Sequence, residues 1–368
     1  MEKKNKKDPS QMRHGYTTGA CATAVTKAAL IALITGEAQE TATIHLPIGR
    51  DVTFTIENNS INETTVSCST IKDGGDDPDA THGALIVSTV SWQEDPGICL
   101  DGGIGVGRVT KPGLPVAVGE AAINPVPRKM LYSTVEETLS EFKITRGVKV
   151  IISVPDGEEI AKNTLNGRLG IIGGISILGT RGTVVPFSSS AYMASIVEAI
   201  SVAHATGNDH VVLTTGGRSE KYAMQQYEGL PEEAFIEMGD FVGFSLKHCK
   251  RLGIKRVSLV GMMGKFSKVA QGVMMVHSKS APINFEFLAQ LAKDVDAPDD
   301  IVQQVSQANT ASHVGDIMTG NSRFFNHLCE ACCTSSLNHV KGGLVMDTAI
   351  YSMKGELLGR ADGIDTID

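Results

Sequence analysis

Aromatic residues are scarce in this chain: they make up 5% of it, and Trp92 is its one tryptophan. A surface that stacks unpaired bases needs exposed rings in series, so single-stranded nucleic acid is not an expected partner. Positive charge is not in excess either. The formal net charge is −8, so no global cationic field draws in nucleic acid or an anionic membrane. An anionic ligand has to be held by local cations and backbone N–H groups. No run of 18 consecutive apolar residues occurs, which argues against a membrane-spanning helix. The lysine-rich start, Met1 to Asp8, lacks the apolar stretch of a secretory signal and reads as a solvated tail. Cysteines number seven, odd and scattered, so a disulfide framework is not expected and a reducing cytoplasm is. Cys329, Cys332 and Cys333 lack the second C-x-x-C or H-x-x-x-H that would complete a zinc site. They read as buried thiols on a helix, and no metal site is expected. No Walker motif and no G-x-G-x-x-G fingerprint occurs.

What is present is ordinary globular material. The 368 residues, 42% hydrophobic and 20% charged, suit two domains. Thr18–Thr35 is rich in alanine and leucine and free of Gly and Pro after Gly19, which predicts a helix capped by Thr17 or Thr18 and stopped by Gly36. Strand-like runs follow at Thr41–Leu46, Val52–Glu57, Thr64–Ile71 and Leu85–Trp92, then a helix at Pro125–Phe142. Residues 1–146 therefore read as a two-layer α+β domain. Beyond Thr145–Gly147 strands alternate with helices: strands at Val148–Val154, Ile171–Leu178, Thr183–Val185, Val211–Thr215 and Val257–Val260, helices at Ser188–Ala205, Ala234–Leu252 and Phe266–Met275. Residues 147–368 read as a Rossmann-like α/β domain with a largely parallel sheet. Two short strands within Gly343–Arg360 could join either domain. The fold class is α/β plus α+β.

In a parallel α/β sheet, ligands bind beyond the carboxyl ends of the strands. Two turns there repeat one pattern of strand, glycines and cation: Thr214-Thr215-Gly216-Gly217-Arg218 and Gly261-Met262-Met263-Gly264-Lys265, with Lys268 one turn further. Glycine lets backbone approach a ligand closely, and a helix start favours anions. The same turns would also serve as plain tight connections. In the first domain, four aspartates crowd into Asp73, Asp76, Asp77 and Asp79, with His82 close behind. Packed carboxylates raise one another's pKa, and a histidine can pass a proton; a solvated turn is the alternative. From Gly103 to Lys129 run Arg108, Lys111, Arg128 and Lys129 among glycines and prolines, either a clamp for several carboxylates or an ordered surface loop.

Taken together, these segments resemble the CbiD family. The matching stretches are RHGYTTGAC from Arg13, KDGGDDPDATHG from Lys72, GIGVGRVTKPGLPVAVGEAAINPVPR from Gly103, NGRLGIIGGISILGTRGTVVPFS from Asn166, TTGGRSE from Thr214 and GMMGKFSK from Gly261. The resemblance spans about residues 11 to 350. It implies methyl transfer from S-adenosylmethionine to carbon C-1 of cobalt-precorrin-5B, giving cobalt-precorrin-6A, in anaerobic cobalamin synthesis. Cobalt would arrive inside the substrate. The expected donor site is Thr214, Gly216, Gly217, Gly261 and Gly264. The cations suited to the ring's carboxylates are Arg108, Lys111, Arg128, Arg168, Arg181, Arg218, Lys265 and Lys268. Asp73, Asp76, Asp77 and His82 are the candidate catalytic groups. A homodimer is the assembly considered, with no nucleic-acid or membrane partner. Two rivals stand beside this reading: a nicotinamide-dependent oxidoreductase, which would consume its cofactor, and a corrinoid carrier, which would bind the ring and release no S-adenosylhomocysteine.

Overall fold

The computed structural model describes residues 11–277 and 280–366; the tail Met1 to Asp8, read as solvated, lies outside them. Two units divide the chain, Met1–Ser189 and Ser190–Asp368.

The first unit contains β1 (Gly15–Tyr16), α1 (Thr18–Thr35), β2 (Thr41–Leu46), β3 (Arg50–Thr55), β4 (Asn58–Ile61), β5 (Thr65–Ile71), β6 (Leu85–Gln93), β7 (Ile98–Gly102), β8 (Gly105–Val106), β9 (Arg108–Val109), α2 (Pro125–Glu141), β10 (Gly147–Ser153), α3 (Gly157–Ala161), β11 (Ile171–Ile172), β12 (Gly174–Ile175) and β13 (Thr183–Val184). Its main sheet has the order β4-β5-β6-β10-β7. Helix α1 forms where the sequence places it: the Thr17 side chain accepts from Ala20 N, and Gly36 closes the helix at φ 76°. By length and composition α1 could cross a membrane, although no uninterrupted apolar run marks it, because threonines and Lys27 break the run. It is instead the core of this unit. A helix apolar all round belongs inside, and here alanines let it lie close against β5, β6 and α2. Its buried Thr26 spends its hydroxyl on Ala22 O and Ser88 Oγ.

The expected boundary at Thr145–Gly147 falls inside this unit. Strand β10 pairs antiparallel with β6, Gly147 opposite Gln93 through Ser153 opposite Val87, and parallel with β7. The chain from β7 through α2 to β10 is itself a crossover between parallel strands, so its pattern matches that of a parallel α/β domain. The run Ile171–Leu178 is broken into β11 and β12 by Gly173 at φ 85°.

The second unit contains α4 (Ser189–Ala205), β14 (His210–Thr214), α5 (Gly217–Gln226), β15 (Phe235–Glu237), α6 (Val242–Leu252), β16 (Arg256–Met262), α7 (Met263–Val269), α8 (Phe285–Asp294), α9 (Asp299–Ser306), α10 (Ala311–Ile317), α11 (Ser322–Val340), β17 (Val345–Tyr351) and β18 (Leu357–Ile364). The sheet order is β15-β14-β16-β17-β18, parallel except for the last pair. The terminal hairpin β17–β18 completes this unit's own sheet. The helix expected over Ala234–Leu252 is two elements: Phe235–Glu237 is an edge strand, and the helix starts only at Val242, after Gly239 at φ 59°. The helix expected at Phe266–Met275 is the shorter α7. The three cysteines of α11 are buried, their thiols pushed up in pKa by desolvation. Cys332 donates to Phe266 O at 3.3 Å, and Cys333 lies 3.2 Å from Thr348 Oγ1.

Candidate functional site

In the second unit the chain leaves β14 toward β15 on one side and leaves β16 toward β17 on the other. The carboxyl ends of β14 and β16 therefore flank a switch point, where open parallel sheets bind ligands. Three turns converge there. Lys265, just after β16, donates to Thr215 O at 3.1 Å and to Gly239 O at 3.4 Å. It also pairs with Asp240 Oδ1 at 3.1 Å. One ammonium thus ties together the turns following β14, β15 and β16. The first turn is further locked by Ser219, whose hydroxyl donates to Gly216 O at 2.7 Å and accepts from Thr215 N at 3.1 Å.

The turn leaves room above it. Gly216 has φ 154° and ψ 165°, a conformation open to glycine. A side chain there would meet nothing nearer than Glu237 Oε1 at 3.8 Å, and at Gly217 and Gly264 it would meet open space. Thr214, fully buried at the strand end, has a hydroxyl without a hydrogen-bond partner among the described residues, a costly state unless something else satisfies it. Across from Thr214 in register lies Glu237, the last residue of β15. Tyr192 donates to Glu237 O at 3.2 Å. Burial and then the Glu237 charge raise the pKa of that phenol, so it stays a donor.

Of the expected donor-site residues, Thr214, Gly216, Gly217 and Gly264 stand at this edge. Gly261 does not open onto it: a side chain there would strike the Phe266 ring at 2.6 Å, so this glycine serves packing. Arg218 is exposed, its guanidinium 3.5 Å from Met353 Sδ. Lys268 is buried and donates to His277 O at 3.1 Å, so this cation holds the chain rather than facing a ligand. Sequence reasoning missed Glu237 and Asp240, because a helix drawn through Ala234–Leu252 hid the end of β15, and Tyr192, whose partner Glu237 lies 45 residues further on.

The acidic loop of the first unit is bound on every side. Asp73 takes a two-pronged pair from Arg13, one prong at 2.9 Å, and accepts from Gly75 N at 2.9 Å. The Arg13 hydrogen bonds, then Gly75, hold its carboxyl down at about 2. Asp76 accepts from Arg13 N at 3.0 Å, and Asp77 from Phe187 N at 2.8 Å. Asp79 pairs with the buried Lys72 and accepts from Thr81 N and Oγ1 at 2.7 and 2.6 Å. His82 accepts from Gly74 N at Nδ1, 3.0 Å away. With Nδ1 accepting, the ring presents an N–H at Nε2, and the side chain is more than half exposed.

The glycine-rich stretch packs backbone on backbone. A side chain at Gly105 would lie 1.8 Å from Val154 O, one at Gly107 would meet the Ile171 side chain at 2.4 Å, and one at Gly157 or Gly174 would strike Gly105. These glycines let β8, β12 and the start of α3 touch. The predicted cations of this unit are held as follows. Arg108 lies opposite Ile172 in the β9–β11 pair and donates to Asp101 at 2.9 Å. Lys111 folds over Gly170 and donates to Arg168 O at 3.3 Å. Arg128 pairs with Glu120 at 3.2 Å. Arg181 is exposed and has no partner among the described residues. Large apolar side chains stand exposed on the same segments, among them Ile104 (76%), Ile172 and Leu178.

These features define a mixed α/β protein with a glycine-lined strand edge in one unit and, in the other, segments that carry cations and exposed apolar side chains. The chain belongs to the CbiD family: the family described as CbiD matches residues 4–186, and its C-terminal domain matches residues 275–362. The chain is 69% identical over 352 residues to the cobalt-precorrin-5B C(1)-methyltransferase of Geobacillus sp. (strain WCH70), covering 95% of this chain and 96% of that one. It is 64% identical over 357 residues to the enzyme of that name from Priestia megaterium, covering 96% and 97%. The 1.9 Å crystal structure of cobalamin biosynthesis protein (cbiD) from Archaeoglobus fulgidus is 29% identical, covering 69% of this chain and 78% of that one, with a TM-score of 0.39.

Proposed function

We propose that the chain transfers the methyl group of S-adenosylmethionine to C-1 of cobalt-precorrin-5B, giving cobalt-precorrin-6A in cobalamin synthesis. Identity above 60% over nearly the whole length to methyltransferases of that name supports the substrate. The observation that carries the donor's place is the open turn at Gly216 and Gly217 beside the unsatisfied Thr214 hydroxyl. The second unit is Rossmann-like on this reading, with strand order 2-1-3-4-5 and its ligand at the switch point. When bound, the donor supplies a methyl group already activated on a sulfonium.

The chain's own residues then have three tasks. Thr214, Gly216, Gly217 and Gly264 hold the donor, and Lys265 fixes the three turns around it. Fixing both reactants supplies much of the rate, about 7–11 kcal/mol in well-oriented systems. In the first unit, Arg108, Lys111, Arg128, Arg168 and Arg181 meet carboxylates of the ring, and Ile104, Ile172 and Leu178 meet its flat apolar surface. Arg218 supplies a further exposed cation in the second unit. His82 presents its Nε2–H to the substrate as a hydrogen-bond donor, while Asp73, Asp76 and Asp77 shape its loop. Cobalt enters as part of the substrate. Seven free thiols, most of them buried, suit a reducing cytoplasm.

Incubation with methyl-labelled S-adenosylmethionine and cobalt-precorrin-5B tests this. The corrinoid should gain one labelled methyl at C-1, with one S-adenosylhomocysteine per ring. A ring that binds without gaining label identifies a carrier and overturns the proposal, as does turnover that consumes a nicotinamide.

A further inference from the structure

We infer that Glu237 accepts hydrogen bonds from the two ribose hydroxyls of the nucleoside methyl donor, and so selects a ribonucleoside at the switch point. The inference rests on the donor site proposed above.

Glu237 ends β15, the strand beside β14, and stands directly across from Thr214. Its Oε1 lies 3.8 Å from where a side chain on Gly216 would begin. The carboxylate therefore hangs over the glycine turn, and no cation pairs with it among the described residues. It stands twenty residues beyond Gly217. In sheets of this topology the glycine turn after the first strand takes the ligand's near end. A carboxylate about 20 residues on, at the end of the second strand, takes its vicinal hydroxyls. The chemistry matches: a carboxylate is acceptor-only with two oxygens, and a cis-diol offers two O–H donors at a matching separation.

The surroundings hold the carboxylate in place. Tyr192 donates to the Glu237 backbone carbonyl at 3.2 Å, and its hydroxyl would lie 3.0 Å from a side chain at Gly239. Lys265, the ammonium that ties these turns, is spent on Asp240 and two carbonyls. The Tyr192 hydroxyl also hydrogen-bonds the Glu237 carboxylate, which fixes it and, with about four lone-pair sites on two oxygens, still leaves acceptors for a ligand.

Calorimetry with S-adenosylhomocysteine and its 2′-deoxy and 3′-deoxy analogues tests the assignment on the intact chain without turnover. The unaltered protein should bind each deoxy analogue roughly 10- to 100-fold more weakly, the worth of a hydrogen bond to a charged group. Glu237→Ala should bind S-adenosylhomocysteine weaker by a similar factor and no longer distinguish it from the analogues. Glu237→Gln, which keeps the shape, should fall between. Tyr192→Phe should retain the discrimination. If Glu237→Ala and Glu237→Gln both discriminate as the unaltered protein does, Glu237 does not touch the ribose. Gly217→Leu separates this from failure of the donor site. That variant fills open space above the turn and should abolish S-adenosylhomocysteine binding. Undiminished binding by Gly217→Leu overturns the donor site itself, and this inference with it.

Discussion

Replacing Asp79 with asparagine removes one charge and almost nothing else. Asn keeps an oxygen to accept from Thr81 N and Oγ1, as Asp79 Oδ1 does. What it leaves is Lys72, 1% exposed, without its counter-ion, whereas Asp79 is 19% exposed. Breaking a buried pair by removing one partner costs about 3–5 kcal/mol. Water reaches the Asp79 side, which lowers the loss. We expect a loss of about 2–4 kcal/mol. At about 2–4 °C per kcal/mol for a unit of this size, the melting point should drop by roughly 5–15 °C.

Trp92, the chain's one tryptophan, lies on β6 in the same unit, with Arg146 5.2 Å over its ring. Its fluorescence reports this unit selectively. The charge-free pair Lys72→Met/Asp79→Asn should recover most of the loss, because an uncharged replacement of a buried pair is often neutral. A Trp92 melt within a degree of the unaltered protein for Asp79→Asn, or no recovery in the double variant, refutes the reasoning.

Gly105→Ala forces a side chain to within 1.8 Å of Val154 O at a backbone φ of 71°. Strain and overpacking together should cost about 2–5 kcal/mol, read as a lower Trp92 melting point. His210, His248 and His339 all have their pKa lowered, first by burial. The unfolded chain then protonates first, near pH 6.5. Their contribution is whole above that pH and is lost as pH falls below it toward the depressed folded values. Chemical denaturation followed by circular dichroism between pH 7.5 and 5 should show that decline, and a flat profile would contradict it. Cys99 is exposed and the other six thiols are buried, so a thiol-reactive dye should label one cysteine quickly in the native chain and all seven after unfolding. Fast labelling of two or more would show that the cores are not as described.

What the sequence reveals and what it hides follow from how far each partner lies along the chain. Helix α1 was legible because its cap, its composition and its stop all lie within Thr17–Gly36. The acidic loop was legible as a concentration of charge but not as a structure. Its partners are Arg13, sixty residues before Asp73, and Phe187, 110 residues beyond Asp77. Lys72 looked like one more surface lysine, since nothing local says that it is buried. Glu237 was hidden differently. A three-residue edge strand is too short to show a period of two, and the helical pattern beyond Gly239 absorbed it. The boundary near Gly147 was misplaced because β10 joins a parallel neighbour through a helix, which is also how the second unit is built.

Position in the fold, rather than residue type, also decides between two clusters in the second unit. His210, Ser258 and Asp347 meet at 2.7 Å spacings, His210 Nε2 to Ser258 Oγ and Ser258 Oγ to Asp347 Oδ2. By composition this is a hydrolase triad. The wiring runs the other way. Ser258 gives its hydrogen to Asp347 and must then accept one from His210, so the histidine is not placed as the base that a triad needs. Asp347 is fully buried and also takes two bonds from Arg256, at 2.7 and 2.8 Å, and one from Gly363 N. These residues sit at or near the starts of β14, β16 and β17, the sheet edge opposite the switch point, where the same strands are tied together rather than opened. The trio therefore braces the sheet. The modest pairing of an unsatisfied threonine with two glycines at the other edge has the stronger claim to a ligand, because there the strands part and the backbone leaves room.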